Sequence, residues 1–309
     1  NNMNHLIAMF FGIIGSIQLH LAKALQSQGV RTLELVRLKT NGSDAEKLRY
    51  DGKIHKSRHY LAGLLLSNSC FIWIILANRF APSSYFTSMF GIGLIFLIIY
   101  ADKVMGEEVS AGVYKGSIIL LIGTLIIGYD GIMHDNITMK NINYTIVIVT
   151  AAAFFLLTTL FMIFTPTRKK EILTIGSAFL AGSLSCFDPI LKGLGQHKGG
   201  QAGFLPSNST GWILFASSLI FTTYAFIVTQ WSFSHKARIS IFVPVFNSAY
   251  IILPLILFRV ALPGYHFSHL TIWGLLMIIA AMFYLTREIR NGKIMKAQNL
   301  QKNITSPKF

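Results

Sequence analysis

The chain has 309 residues, of which 53% are hydrophobic and 13% charged, with a mean hydropathy of +0.55. Soluble domains carry about 25% charged residues, so the composition argues against a water-soluble globule and for a membrane protein. The formal charge of +15 then becomes a question of placement, because in a membrane protein Lys and Arg record topology rather than a nucleic-acid partner.

A bilayer core takes about 20 apolar residues per helix, and nine runs meet that length. The first, His5–Gln26, follows an N-terminus without a basic n-region or a small-residue cleavage site, and reads as a retained span. After it comes a mixed-charge segment, residues 31–58, that contains Gly and Ser, is poor in aromatics and is predicted to be a mobile loop. Next follow His59–Asn78, Pro82–Tyr100, Val113–Ile132 and Tyr144–Thr165. The sixth run, Ile172–Gly195, is interrupted by "SCFDPILKG"; Gly211–Trp231, Ile239–Phe258 and Leu270–Thr286 complete the set, and residues 291–309 form a polar tail. The expected fold is therefore an all-α polytopic membrane protein with nine transmembrane helices in one domain over residues 1–290.

Basic residues fix the expected orientation. Most of the 27 Lys and Arg fall in alternate connections, from Arg31–Arg58 through Arg168–Lys170 to the tail, while Arg79, Lys140, Lys192, Lys198 and Arg259 lie in the opposite set. By the positive-inside rule the N-terminus is outside and the C-terminus cytoplasmic. Lys23 stands near the end of the first run, where its stem can snorkel to the headgroups. Cys70 and Cys186 sit in apolar runs without metal-ligand or disulfide spacing and read as buried thiols.

An internal repeat is also legible. "NRFAPSSYFTSMFGIGLIFLIIY" (Asn78–Tyr100) aligns with "SHKARISIFVPVFNSAYIILPLI" (Ser234–Ile256) when Ala81 is laid on Ala237. Each is followed by a turn and a Gly-bearing run, and "SIQLHLAKAL" (Ser16–Leu25) lies over "SCFDPILKGL" (Ser185–Leu194). Helices 1–4, in a first repeat over residues 5–132, thus recur as helices 6–9, in a second half over residues 144–286, with inverted orientation. Inverted repeats of this kind build many secondary transporters, whose substrate sites lie near the midplane between the copies.

The segment from "LANRFAPSSYF" through "VMGEEVSAGVYKGSIILLIGTLIIG" resembles the signature half of the drug/metabolite transporter superfamily, with its A-P-x-S entry, its "GE" turn and its Gly-rich following helix. The first run with "ALQSQGV", the nine-span count and the outside N-terminus resemble the NIPA-type magnesium-transporter branch. The more common EamA-like transporters have ten spans. The resemblance runs from about Ala8 to Leu285 and implies transport, with Mg²⁺ as the branch's substrate; the Asp188–Pro189 pair departs from that branch.

Ionisable side chains inside spans cost about 2.5–3.5 kcal/mol at the helix centre and mark cavities or partners. Asp188 is the clearest. Pro189 leaves the Ser185 carbonyl without its helical donor, which predicts a helix break. Lys192, four residues on, shares the face of Asp188 and offers an ion pair, near the outer interface in one reading and beside a pathway in the other. His20 and Gln18 in the first span, Tyr85 and Thr87 in the third, and Asn247 and Tyr250 in the eighth are the other candidate pathway residues. "SNS" (Ser67–Ser69) offers interhelical hydrogen bonds or cavity lining, and Glu107–Glu108 are expected to cap a helix at a cytoplasmic turn. Asn136, Asn143 and Asn208 begin N-x-S/T patterns on the side expected to be outer.

No phosphate loop, HExxH, GxSxG or paired-Cys motif is present, so neither an enzyme nor a cofactor is expected. The expected function is a secondary transporter in the cell membrane that moves Mg²⁺, a small organic cation or a metabolite by alternating access. The other reading is a non-transporting receptor-like or assembly subunit with the same fold. Lipid and the solute are the expected partners, with no nucleic acid; any metal ligands and the oligomeric state stay open.

Overall fold

The computed structural model describes residues 2–39, 58–104, 109–133, 141–165, 170–198, 203–235, 237, 239–285 and 287. Twelve helices occur among them: α1 Asn2–Lys39, α2 58–69, α3 Phe71–Phe80, α4 Ser83–Ser88, α5 Phe90–Lys103, α6 Ala111–Met133, α7 Tyr144–Phe164, α8 Lys170–Ser185, α9 Phe187–His197, α10 Ser209–Ser234, α11 Ile239–Ala261 and α12 His269–Leu285. No described residue lies in a strand. Grouped end to end, they give eight helices long and apolar enough to cross a membrane; α12 is apolar but shorter.

Three of these spans are interrupted by a single residue. Cys70 separates α2 from α3, Met89 separates α4 from α5, and Cys186 separates α8 from α9. The third break has a sequence cause. Pro189 is the third residue of α9, and in a first helical turn a missing N–H costs nothing because that turn's donors are orphans anyway. The chain therefore restarts its helix just before the proline. The Asn143 side chain accepts from the Thr145 and Ile146 amides and the Asn208 side chain from Gly211, so both asparagines serve as N-caps for α7 and α10.

The spans Ser83–Lys103, Ile172–His197 and Ile241–Ala261 are the most buried, while Arg58–Phe80, Tyr144–Phe164 and Ser209–Ser234 lie at the periphery. α1 packs most extensively on α5, and α8 and α11 are likewise closely paired. These seams depend on glycine. A side chain at Gly93 of α5 would run into the Ser16 carbonyl of α1, and one at Gly182 of α8 into the Phe246 carbonyl of α11. α6 and α12 run antiparallel: Gly116 lies against Leu285, Gly123 against Gly274, and Thr271 donates to the Asp130 carboxylate.

Two expectations change. The segment predicted as a loop from residue 31 continues α1 through Lys39, because "VRTLELVRLK" contains no Gly or Pro and is rich in good helix formers. Its remainder, residues 40–57, lies outside the described residues, as do Glu107, Glu108, Asn136 and the tail 291–309. Lys23 does not snorkel. It is 4% exposed, because α1 does not end near it and its side chain points toward α11.

Candidate functional site

A cavity of about 290 Å³ lies at mid-depth among the spans formed by α1, α2–α3, α8–α9, α10 and α11. Its depth follows from its lining: Ser67–Phe71 sit at the centre of Arg58–Phe80, and Leu219–Phe226 at the centre of Ser209–Ser234. Two of the three helix interruptions border it, through Cys70 and Ser185. Discontinuous helices at the midplane are where transporter folds place substrate and ion sites.

Three charged side chains reach this cavity. Asp188 stands in the first turn of α9, and Lys192 reaches back one turn to form an ion pair with it. Both are buried. The break that accommodates Pro189, at Cys186, lies two residues before the Asp188 end of this ion pair. The third group is Lys23 of α1, whose Nζ lies 2.9 Å from the centroid of the Phe246 ring and has no hydrogen-bond partner among the described residues. Two lysine side chains thus face one carboxylate, and only one of them is paired with it.

Side-chain contacts bridge the cavity at both ends, and one flank is open. At the end toward the last turns of the Met3–Gly29 span, Gln230 Nε2 donates to Gln26 Oε1 at 2.8 Å, Gln26 Nε2 donates to the Gly63 carbonyl at 3.0 Å, and Tyr60 adds a 3.4 Å contact to Gln230. At the other end the Phe90 and Tyr250 rings meet at 4.4 Å. Asn78 braces the α9 side by donating to the Pro189 carbonyl at 2.9 Å. The flank opens between α2–α3 and α10, where Asn68, Phe71, Leu219 and Thr222 are exposed.

A second, larger cavity of about 580 Å³ lies at the end of the bundle where α6 finishes and α12 begins. Tyr85, Asp130, Tyr265, His266, His269 and Thr271 line it. Tyr85 donates to the Gly131 carbonyl at 2.5 Å and stacks on His5 at 4.4 Å. Burial, with the Asp130 carboxylate nearby, pushes the Tyr265 phenol up to about 12. Along α4–α5 and α11 the two cavities are about a turn apart, with Phe90 and Tyr250 on the inner side.

The residues singled out from sequence divide accordingly. Asp188, Lys192, Ser185 and Tyr250 line the inner cavity and Tyr85 the outer one. His20 and Asn247 are brought together behind the inner wall: the His20 Nδ1 lies 2.6 Å from the Ser16 carbonyl and so carries the hydrogen, leaving Nε2 to accept from the Asn247 amide at 2.5 Å. Gln18 ties α1 to α2–α3, donating to the Leu66 carbonyl and Ser69 and accepting from Trp73. Thr87 bonds to the Ser84 carbonyl within its own helix. Neither Gln18 nor Thr87 lines a cavity. In "SNS", Ser69 is interhelical glue and Ser67 and Asn68 are cavity wall.

One participant, Asp130, escaped the sequence reading and another, Lys23, was read there as snorkelling; each had a signal. Asp130 is an acid inside an apolar run, which alone marks it. Lys23 belongs with Ser16, His20 and Ser27, all at most 4% exposed, and their spacing of three and four residues is that of one helix face. In comparisons with known proteins, no family model, no curated protein and no solved structure matches the chain, so the functional reading stands on this geometry.

Proposed function

We propose that the chain is a secondary transporter of the cell membrane that carries a small organic solute through the mid-depth cavity by alternating access. The observation that carries this reading is the cavity itself, which holds Asp188, Lys192 and Lys23 beside interrupted helices. Burying Asp188, Lys192 and Lys23 is costly and serves no packing purpose that apolar residues would not serve better. The Gln26–Gln230 and Phe90–Tyr250 contacts supply a closure on each side, as alternating access requires.

The inverted-repeat reading supports the same mechanism. In the register that lays Ala81 on Ala237, Phe86 and Phe90 fall on Phe242 and Phe246, and each pair is in ring contact. In the companion register Lys23 falls on Lys192, and both face one cavity. The α1–α5 seam is matched by α8–α11, and α6 crosses its counterpart α12 in antiparallel fashion. We take α12 as the ninth span, with the N-terminus outside as the basic residues indicate. The likeness to the drug/metabolite transporter superfamily agrees with this plan. Its magnesium branch fits less well, because a divalent cation wants several oxygen ligands and here meets one carboxylate already paired with an ammonium.

Flux into sealed proteoliposomes tests the proposal. Saturable uptake or counterflow of a small organic solute, lost on Asp188→Asn in protein that still inserts, is the expected result. Solute binding without any flux would overturn transport in favour of a receptor-like or assembly subunit.

A further inference from the structure

We propose that the mid-depth cavity binds a small monocarboxylate with an apolar or aromatic body, its carboxylate held by Lys23 with Lys192 close by. The proposal rests on reading this cavity as the binding site, and not on whether the protein moves what it binds.

Charge gives the sign of the ligand. The titratable and charged groups around Lys23 are Asp188 and Lys192 on α9, Cys70 at the α2–α3 joint, Tyr250 on α11 and His20 one turn away on α1. The one carboxylate in this set is engaged by Lys192, and His20 is occupied on both nitrogens. Lys23 sets its amine against an aromatic face with no oxygen to receive its hydrogens. A ring face is a weak substitute for an oxygen acceptor in a site this buried. A monocarboxylic acid that enters with its own proton gives the Lys23 amine both a charge and an acceptor, whereas a cation finds the one carboxylate already taken and a dianion leaves a charge unmatched.

The walls give the rest of the ligand. Leu19, Ile74, Phe71, Phe90 and Phe246 present apolar and aromatic surface, while Tyr250, Ser185 and Thr229 add hydroxyls. The volume is at the low end of ligand pockets, which run from about 300 to 1,000 Å³, so the body is about one ring or a short chain. The flank between Phe71 and Leu219 opens at the depth of acyl chains, so the same head group can arrive from water on a small acid or from the bilayer on a fatty acid.

Equilibrium binding by the purified full chain in neutral detergent tests this independently of flux. The probes are benzoate, phenylacetate, hexanoate and oleate, each beside its amide and the amine of matching body, with inorganic phosphate as the dianion control. At least one carboxylate is expected to bind and raise the melting temperature while its amide and amine do not. Lys23→Met should weaken that binding at least about tenfold, the loss of one charged hydrogen-bonding partner, and Lys23→Arg should retain part of it. Because Lys23→Met keeps the length of the side chain, its own melting curve shows whether it is folded. Binding of oleate alone, with the same dependence on Lys23, would support the anion site and place its source in the bilayer. Amines bound as tightly as acids, phosphate bound more tightly, no carboxylate bound at all, or carboxylate binding untouched by Lys23→Met would each overturn the proposal.

Discussion

Lys23 of α1 lies directly over the ring of Phe246 in α11, its Nζ 2.9 Å from the ring centroid, with no hydrogen-bonding oxygen or nitrogen completing its shell among the described residues. An unpartnered amine in this setting opposes folding. Lys23→Met, which keeps the stem and the contact with the ring while deleting the unpartnered amine, is expected to raise the stability of the ligand-free protein by roughly 1–4 kcal/mol. Thermal unfolding in detergent measures it, and a fall in melting temperature would show that the amine is satisfied. Gained stability with lost binding is the trade expected of a residue retained for function.

Asp188 and Lys192 are coupled in the opposite sense. Asp188→Asn strands the Lys192 ammonium and should cost about 3–5 kcal/mol. The double variant Asp188→Asn/Lys192→Met removes both charges and should recover most of that loss. A double-mutant cycle on unfolding midpoints checks it: strictly additive effects would mean that the pair contributes no coupling energy.

The seam between α8 and α11 has no room for a methyl group at Gly182, which would run into the Phe246 carbonyl. Gly182→Ala is expected to destabilise by about 1–3 kcal/mol, as overpacking does, despite the better helix propensity of Ala. Because Phe246 also carries Lys23, the same change should disturb ligand binding. An unfolding midpoint at or above that of the parent would contradict the close approach.

Tyr265, in the turn between α11 and α12, titrates above its ordinary value because burial and then the Asp130 carboxylate disfavour its phenolate. The native state therefore holds this proton more tightly than the unfolded chain does. Its stabilising contribution is complete below pH of about 10 and disappears as pH rises toward 12. Phenolate absorbance of the parent minus that of Tyr265→Phe should show a midpoint near 12, and Asp130→Asn should lower it. A midpoint near 10 would place the ring in open water.

Eight of the nine expected spans were legible as such because apolar runs of bilayer length have few other uses; the ninth run forms a shorter apolar helix. The expected edges agree with the helices to within a few residues at most ends. The break at Cys186 was legible too, since Pro189 announces it. The breaks at Cys70 and Met89 were not: no proline follows either within a helical turn, and each depends on how the neighbouring helices pack. Asp188 with Lys192 followed from their spacing, but which cavity they face did not. Lys23 was misread because hydropathy sets where a run thins out and says nothing of which helix face turns inward. His20 and Asn247 were each singled out from their own spans, yet their bond across the bundle needed three dimensions.

Where α6 crosses α12, Gly123 and Gly274 bring backbone against backbone, with the Ile127, Met277 and Ile278 side chains closed around the contact. The glycines set a pivot, and these side chains set its stop when one helix turns on the other. The Asp130–Thr271 link, further along the same crossing, is the clasp that such a turn would strain first.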